Sequence, residues 1–253
     1  MCGRYVITSA PEAIRALLRY LEEPDFPPRY NVAPTQPVPI VRIDAGARHF
    51  ALVRWGLIPY WVKDPRNFTP FINARGETVN AKPAFRHAMQ RRRCLFPADG
   101  FYEWRTDGTR KQPYFIRPRS GGPIAFAGLW ETWSGPNGEE VETACIVTTT
   151  ANRVLAPIHD RMPVVIAPEA FDLWLDIARV NAATAAALIM PAPDSLFEAY
   201  EISTAVNRAG NDAAALIEPL GSTAAAAAPA APERPAARLK TRPKKDDGQA
   251  SLF

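Results

Sequence analysis

The chain has 253 residues, 47% of them hydrophobic with six Trp and twelve Phe, which suits one large-cored domain, with or without a tail. No run approaches the ~20 apolar residues of a membrane span, and no cationic segment leads into an apolar run at the start, so neither a spanning nor a secreted chain is expected. The net charge of +4 conceals an imbalance, because residues 54–117 hold 13 Lys/Arg against 5 Asp/Glu and residues 118–222 hold 5 against 13.

Cys2 is the second residue of the chain, followed by Gly3 and Arg4. An initiator Met before so small a residue is normally removed, which would leave a thiol and a primary amine on adjacent carbons. An α-amino group titrates near ~7.7–8.0 and a free thiol near ~8.5, so both nucleophiles are partly available at neutral pH. Two chemistries are open to such a pair. The amine can attack an aldehyde and the thiol close on the imine as a thiazolidine, or the thiol can attack an amide with the amine as base. A cysteine in a frayed terminus without a role is the third reading. The other cysteines, Cys94 and Cys145, complete no C-x-x-C, so neither a disulfide framework nor a zinc cluster is suggested, and a reducing cytosol fits.

Ser9-Ala10-Pro11-Glu12 has the form of a capping box, and Ile14, Leu17, Leu18 and Leu21 follow at helical spacing, predicting a helix over 11–21. Tyr30-Asn31-Val32-Ala33-Pro34-Thr35 reads as an ordered turn, since Pro34 holds its predecessor extended and Asn31 and Thr35 can bond local backbone. Strands are predicted near 37–43 and 49–55. The aromatic loop Trp55-Gly56-Leu57-Ile58-Pro59-Tyr60-Trp61 can cap a core or stack on nucleotide bases at ~1–3 kcal/mol each. In Asn73-Ala74-Arg75-Gly76-Glu77 polar residues alternate with small ones. Extended backbone would aim an amide, a guanidinium and a carboxylate from one face, and Arg can grip a phosphate bidentately. A helix over about 81–91 ends in Arg91-Arg92-Arg93. That run fits a basic single-strand groove with Trp55, Trp61, Phe68, Phe71 and Trp104, or a solvated helix end whose cations suit the dipole.

Further strands are predicted near 94–97, 99–105, 113–117, 124–130, 143–149 and 162–167. Asp99-Gly100-Phe101-Tyr102-Glu103-Trp104 sets Glu103 among aromatics, where burial raises a carboxyl pKa and suits it to proton exchange; an ion pair with Arg is the alternative. His159-Asp160-Arg161-Met162-Pro163 offers an imidazole and a guanidinium two residues apart, for catalysis or for structure. A helix starts at Pro168 with Phe171, Trp174 and Leu175 inward, and an Ala-rich helix lies near 182–189. Strands dominate without βαβ alternation, which predicts an α+β domain around antiparallel sheets.

In this order, Met1-Cys2-Gly3-Arg4, the Tyr30–Thr35 turn, Trp55-Gly56-Leu57-Ile58-Pro59, Asn73–Glu77, Gly100–Trp104 and His159–Pro163 resemble the SRAP family over roughly residues 2–210. These are the SOS-response-associated peptidases, or abasic-site processing proteins. The resemblance implies a barrel-like core with a few flanking helices. It also implies the aldehyde branch of the Cys2 chemistry: recognition of an abasic site in single-stranded DNA and a covalent thiazolidine, shielding the lesion during repair and replication. By carry-over Cys2 is the nucleophile, Asn73 holds the thiazolidine or opened sugar, Glu103 shuttles protons and His159 assists opening of the deoxyribose. Arg4, Arg75 and Arg161 would bind flanking phosphates, and Trp61 or Trp104 would stack on or separate bases. Asn31, Pro34 and Thr35 complete the implied DNA surface. Peptidase activity would be limited to removal of Met1, beside the DNA-crosslinking, lyase-like chemistry. The rival readings are an N-terminal-nucleophile amidohydrolase, which also begins Met-Cys-Gly, and a noncatalytic single-strand reader. No metal or organic cofactor is suggested, and a cytoplasmic, nucleoid-associated monomer is expected.

The domain is placed at 2–221. From 222 Ala, Pro, Lys and Arg dominate, with six Lys/Arg against three acids through 248, a composition that cannot offset its own ordering entropy and predicts disorder. The closing Gln249-Ala250-Ser251-Leu252-Phe253 is similar to the Q-x-x-L-F peptides that dock bacterial proteins on the replicative sliding clamp, with Gln249, Leu252 and Phe253 as the anchors.

Overall fold

A computed structural model describes residues 2–222. The strands run β1 (Tyr5–Ile7), β2 (Arg29–Val32), β3 (Pro37–Asp44), β4 (Ala47–Trp55), β5 (Asn73–Arg75), β6 (Arg93–Ala98), β7 (Gly100–Asp107), β8 (Arg110–Pro118), β9 (Ile124–Ser134), β10 (Glu140–Thr150), β11 (Arg161–Pro163), β12 (Val165–Ile166) and β13 (Phe197–Glu201). Helices α1 (Pro11–Leu18), α2 (Pro83–Arg91), α3 (Phe171–Leu175) and α4 (Ala182–Ala186) flank them. The architecture is α+β with largely antiparallel strands, the expected class. None of these helices is long and apolar enough to cross a membrane.

Five strands close into a barrel: β3 pairs with β4 and β6, β6 with β9, and β9 with β10, while β10 returns to β4 in the one parallel seam of the ring. Both faces of its strands carry buried core residues, Val53, Phe126 and Ile146 on one and Val41, Leu95 and Leu129 on the other. Gly128 is the fit at the β6–β9 seam, because a Cβ there would lie 2.5 Å from the Phe96 ring. A second sheet, ordered β13-β8-β7-β1-β2, packs beside the barrel. The register explains where the chemistry gathers. β1 is an interior strand, held by β2 on one side and β7 on the other, so the segment leading out of Cys2 is fixed rather than frayed. The C-terminal half of β10 is clamped between β5 and β11, which brings Asn73 and the His159–Pro163 motif to the same end.

Several local readings are corrected. α1 stops at Leu18, where Arg19 turns left-handed at φ 56°, and Leu21 is 60% exposed rather than on the buried stripe of Ile14 and Leu18. The capping box does not form: no side chain caps α1, and the Ser9 hydroxyl turns to Asp99. That carboxylate also accepts the Thr8 amide at 2.6 Å and the Ser9 amide at 2.8 Å, and such charge-assisted bonds outcompete a neutral cap. The single strand expected over 162–167 splits at Val164 into β11 and β12. Trp55 is fully buried, its indole donating to the Ile72 carbonyl at 3.0 Å, so it belongs to the core and not to a groove. Strands β1, β2, β5 and β13 lie outside the strand ranges predicted from the sequence. The Ala/Pro-rich tail and the Gln249–Phe253 peptide lie outside the described residues.

Candidate active site

Cys2 has no exposed surface, and the Asn73 amide donates to its carbonyl at 2.9 Å. β5 builds that contact: Ala74 points into the core with no exposure, so its neighbours Asn73 and Arg75 share the opposite face. Asn73 Oδ1 is buried and has no hydrogen-bond partner among the described residues. A buried acceptor left open is uncommon and costs ~1–3 kcal/mol, so it marks a place where a donor is wanted.

Glu103, 2% exposed on β7, is near enough to act electrostatically on the Cys2 thiol. Burial pushes its carboxyl above the ordinary range, and the nearby His159 is among the groups that pull it back. Burial, reinforced by the Glu103 charge, pushes the Cys2 thiol far up, so the thiol stays protonated until a base takes its proton. The His159 Nε2 stands 4.0 Å from Glu103 Oε2. Its Nδ1 accepts the Arg161 backbone amide at 2.9 Å, which in the neutral ring puts the proton on Nε2, toward Glu103. Asp160 Oδ1 lies 3.0 Å from the same Nδ1 and offers an acceptor when the ring is doubly protonated. Thiol, amide, carboxyl and imidazole therefore converge from β1, β5, β7 and the approach to β11.

The surrounding residues divide. Arg75, Thr35 and Trp61 are exposed, the last at 49%, and Pro34 is half-buried. Thr35 holds φ 72°, a left-handed conformation that a β-branched residue rarely adopts, and its amide is anchored to the Trp55 carbonyl at 2.8 Å. Two residues assigned to the DNA surface are instead turned inward. Asn31 is 1% exposed, with its amide nitrogen on the carbonyls of Val206, Arg208 and Asn211 and its oxygen on Arg4 Nη1 at 2.7 Å. It sets Arg4 and offers nothing outward. Arg161 is 8% exposed, and Glu77 takes both ends of its guanidinium at 2.6 and 2.9 Å. Glu77 therefore does not share one extended face with Asn73 and Arg75; the chain turns into a 3₁₀ helix, Gly76–Thr78, that carries it back to Arg161.

Asn207 was missed in the sequence. Its carbonyl accepts Arg4 Nη2 at 3.4 Å and its side-chain oxygen accepts the Trp104 indole N–H at 2.7 Å, so it orients two residues of the implied DNA surface. No local pattern signals it, because both partners lie more than a hundred residues upstream.

This geometry defines a barrel domain that holds the second residue of its sequence, a cysteine, in a buried acid–base setting beside an exposed basic and aromatic rim. The chain belongs to the family described as SOS response associated peptidase (SRAP), which matches residues 1–209. It is 39% identical over 222 residues to the abasic site processing protein YoqW of Bacillus subtilis (strain 168), covering 86% of this chain and 99% of that one. It is 36% identical over 228 residues to the abasic site processing protein YedK of Escherichia coli (strain K12), covering 87% and 100%. Among solved structures, a protein from Bacteroides thetaiotaomicron superposes with a TM-score of 0.75 at 26% identity, covering 86% of this chain and 99% of that one.

Proposed function

We propose that this protein recognises abasic sites in single-stranded DNA and joins them to Cys2 as a thiazolidine, after removal of Met1 has freed the Cys2 amine. The observation that carries the reading is the enclosure of Cys2 between Asn73, with its open buried acceptor, and the Glu103–His159 pair. The names of the relatives supply the substrate class.

The steps balance as follows. His159 moves the proton that lets the cyclic deoxyribose open to its aldehyde. The Cys2 amine adds to the carbonyl carbon, giving a carbinolamine, and Glu103 in its acid form protonates the hydroxyl that leaves as water. The thiol then adds to the imine carbon, its proton passing through Glu103 to the nitrogen, so the net change is loss of one water. The raised thiol pKa favours this order, since a protonated thiol waits while the amine reacts. Asn73 holds the Cys2 carbonyl and turns its free oxygen toward the new N–H or a sugar hydroxyl. Arg4 and Arg75 attract the phosphates, and Trp61, Trp104, Pro34 and Thr35 form the rim against which bases rest.

Single-stranded DNA is the favoured form because a buried nucleophile cannot reach a stacked sugar. The same reading places the chain with DNA in the cytoplasm. The terminal Gln249, Leu252 and Phe253 would add recruitment through a sliding clamp, tested by comparing clamp affinity with and without residues 249–253. The main test is incubation with abasic single-stranded DNA, then a denaturing gel and mass analysis. A species of protein plus DNA minus one water is expected. No adduct, or one that survives Cys2→Ala, rejects the proposal. Glutamine turnover without an adduct would favour the amidohydrolase instead.

A further inference from the structure

A cleft of ≈390 Å³ opens beside the catalytic pair, lined by Glu103, Trp104, Thr106, Lys111, His159 and Asn207. Its outer wall comes from the β7–β8 hairpin. Thr106 and Lys111 are directly paired across the two strands, and Trp104 stands two residues along β7 from Thr106, on the same side. The inner wall is Glu103 and His159. The volume lies at the lower end of the range that holds small ligands, ~300–1,000 Å³.

The polar groups of the outer wall are set to donate. An indole N–H can only donate, so the 2.7 Å bond from Trp104 Nε1 must meet the oxygen of the Asn207 amide. That fixes the amide orientation and leaves its NH₂ as the free end. Lys111 is exposed and has no ion-pair partner among the described residues. Thr106 adds a hydroxyl-bearing side chain to the same lining. A lysine and an amide NH₂ around one opening call for an anion, and the charge that would repel it, Glu103, is weakened because burial raises its carboxyl.

We infer that this cleft is a phosphate subsite, in which Lys111 and Asn207 hold the backbone phosphate adjoining the sugar that Cys2 captures. The inference rests on the abasic-site reading and deepens it. The strand that yields its sugar to Cys2 continues past Glu103 and His159, and this cleft is the opening they line. Binding there holds the reacting carbon against the acid–base pair, and a nucleotide beyond it meets the face of a Trp104 ring that Asn207 has already fixed.

The experiment separates binding from bond formation. In the full chain carrying Cys2→Ser, affinity for a single strand with a non-reactive abasic analogue is measured by anisotropy across a range of salt. Lys111→Ala is expected to weaken binding about five-fold and to make the salt slope shallower by about 0.7, the signature of one lost single-strand phosphate contact. Lys111→Arg should retain the slope. Asn207→Asp, which keeps an oxygen for the indole but replaces the donor by an anion, should weaken binding at least as much as Lys111→Ala. Each phosphate flanking the lesion is then replaced in turn by a neutral methylphosphonate. At one position the difference between the parent and Lys111→Ala should vanish. Equal slopes for the two proteins, or a difference that persists at every methylphosphonate position, overturns the subsite. Failure of the native chain to form an adduct instead refutes the covalent reading, and leaves these slopes readable.

Discussion

Two buried polar regions of this molecule follow opposite rules. Around Arg93, 1% exposed, the guanidinium donates to the carbonyls of Met89, Trp174, Asp176 and Val180, tying the end of α2 to α3 and the segment after it. Burial draws that group down to about 10, so it stays charged at neutral pH, and its donors are well used. Around Cys2 buried polar atoms are also found, yet an Asn oxygen has no partner among the described residues and a carboxyl is held above its usual range. A saturated buried network stabilises, whereas one left short of partners costs stability and is kept for what it binds or transforms.

The contrast is broken most directly at Arg93. Arg93→Ala should cost about 3–5 kcal/mol, because it strands several carbonyls and leaves a cavity. The melting temperature should fall by roughly 2–4 °C per kcal/mol for a chain of this size. Crosslinking per folded molecule should be unchanged. A normal melting temperature would remove one side of the comparison.

Glu103→Gln should do the reverse. Adduct formation should slow by roughly 10²–10³-fold, as expected when a proton-transfer group is lost, while the protein gains stability at neutral pH. The sign follows from the raised carboxyl. Between the unfolded value, ~4.3, and the higher folded one, the folded chain holds the extra proton, so stability falls as pH rises through that window. The native and Gln proteins should therefore melt alike in acid and diverge toward neutrality, with the native lower. Thermal unfolding across pH 4–8 reads this, and a native protein that is the more stable at pH 8 would contradict it.

How much of this contrast was legible in sequence follows from how local each signal is. Cys2, Asn73, Glu103 and His159 stand in short motifs of distinctive chemistry, and their convergence follows once β1, β5, β7 and β11 are in place. The antiparallel α+β class could be read because the alternating or apolar runs of β3, β4, β7 and β9 are a property of each strand alone. The barrel seam between β4 and β10 could not, since it joins Trp55 to Ala144, 89 positions apart in the chain. The same limit hid Asn207, and it hid that Asn31 and Arg161 are buried. A guanidinium in a motif does not disclose that Glu77 will occupy it, and the Ser9 cap fails for a carboxylate ninety positions away.

Asn73→Ala sharpens the comparison from the catalytic side. It removes one hydrogen bond to the Cys2 carbonyl and an acceptor that was already unpaired, so unfolding should change by no more than ~1 kcal/mol. The rate of adduct formation should nevertheless drop by roughly 10²-fold or more, the scale of one positioned polar group lost in the transition state. Loss of stability in proportion to loss of rate would mean that Asn73 is structural.

The smallest effect is expected where the two rules meet, at Glu77 and Arg161. Arg161 is buried like Arg93, but its partner is a carboxylate whose side chain is 48% exposed, so solvent screens the pair from one side. Arg161 also keeps the Thr148 carbonyl at 2.8 Å, and a Gln amide oxygen can replace one of the two carboxylate contacts. Glu77→Gln should thus cost only about 1 kcal/mol at pH 7 rather than the 3–5 of a broken buried pair. Here the sign is opposite to that of Glu103. The bonds from Arg161 hold the Glu77 carboxyl below its ordinary range, so its contribution is complete above the unfolded value and is lost as pH falls through the folded one. Denaturant midpoints of the two proteins should differ at pH 7 and converge in acid. A gap of several kcal/mol would place Arg161 with Arg93 among the saturated structural charges, and a reversed gap would place Glu77 with Glu103.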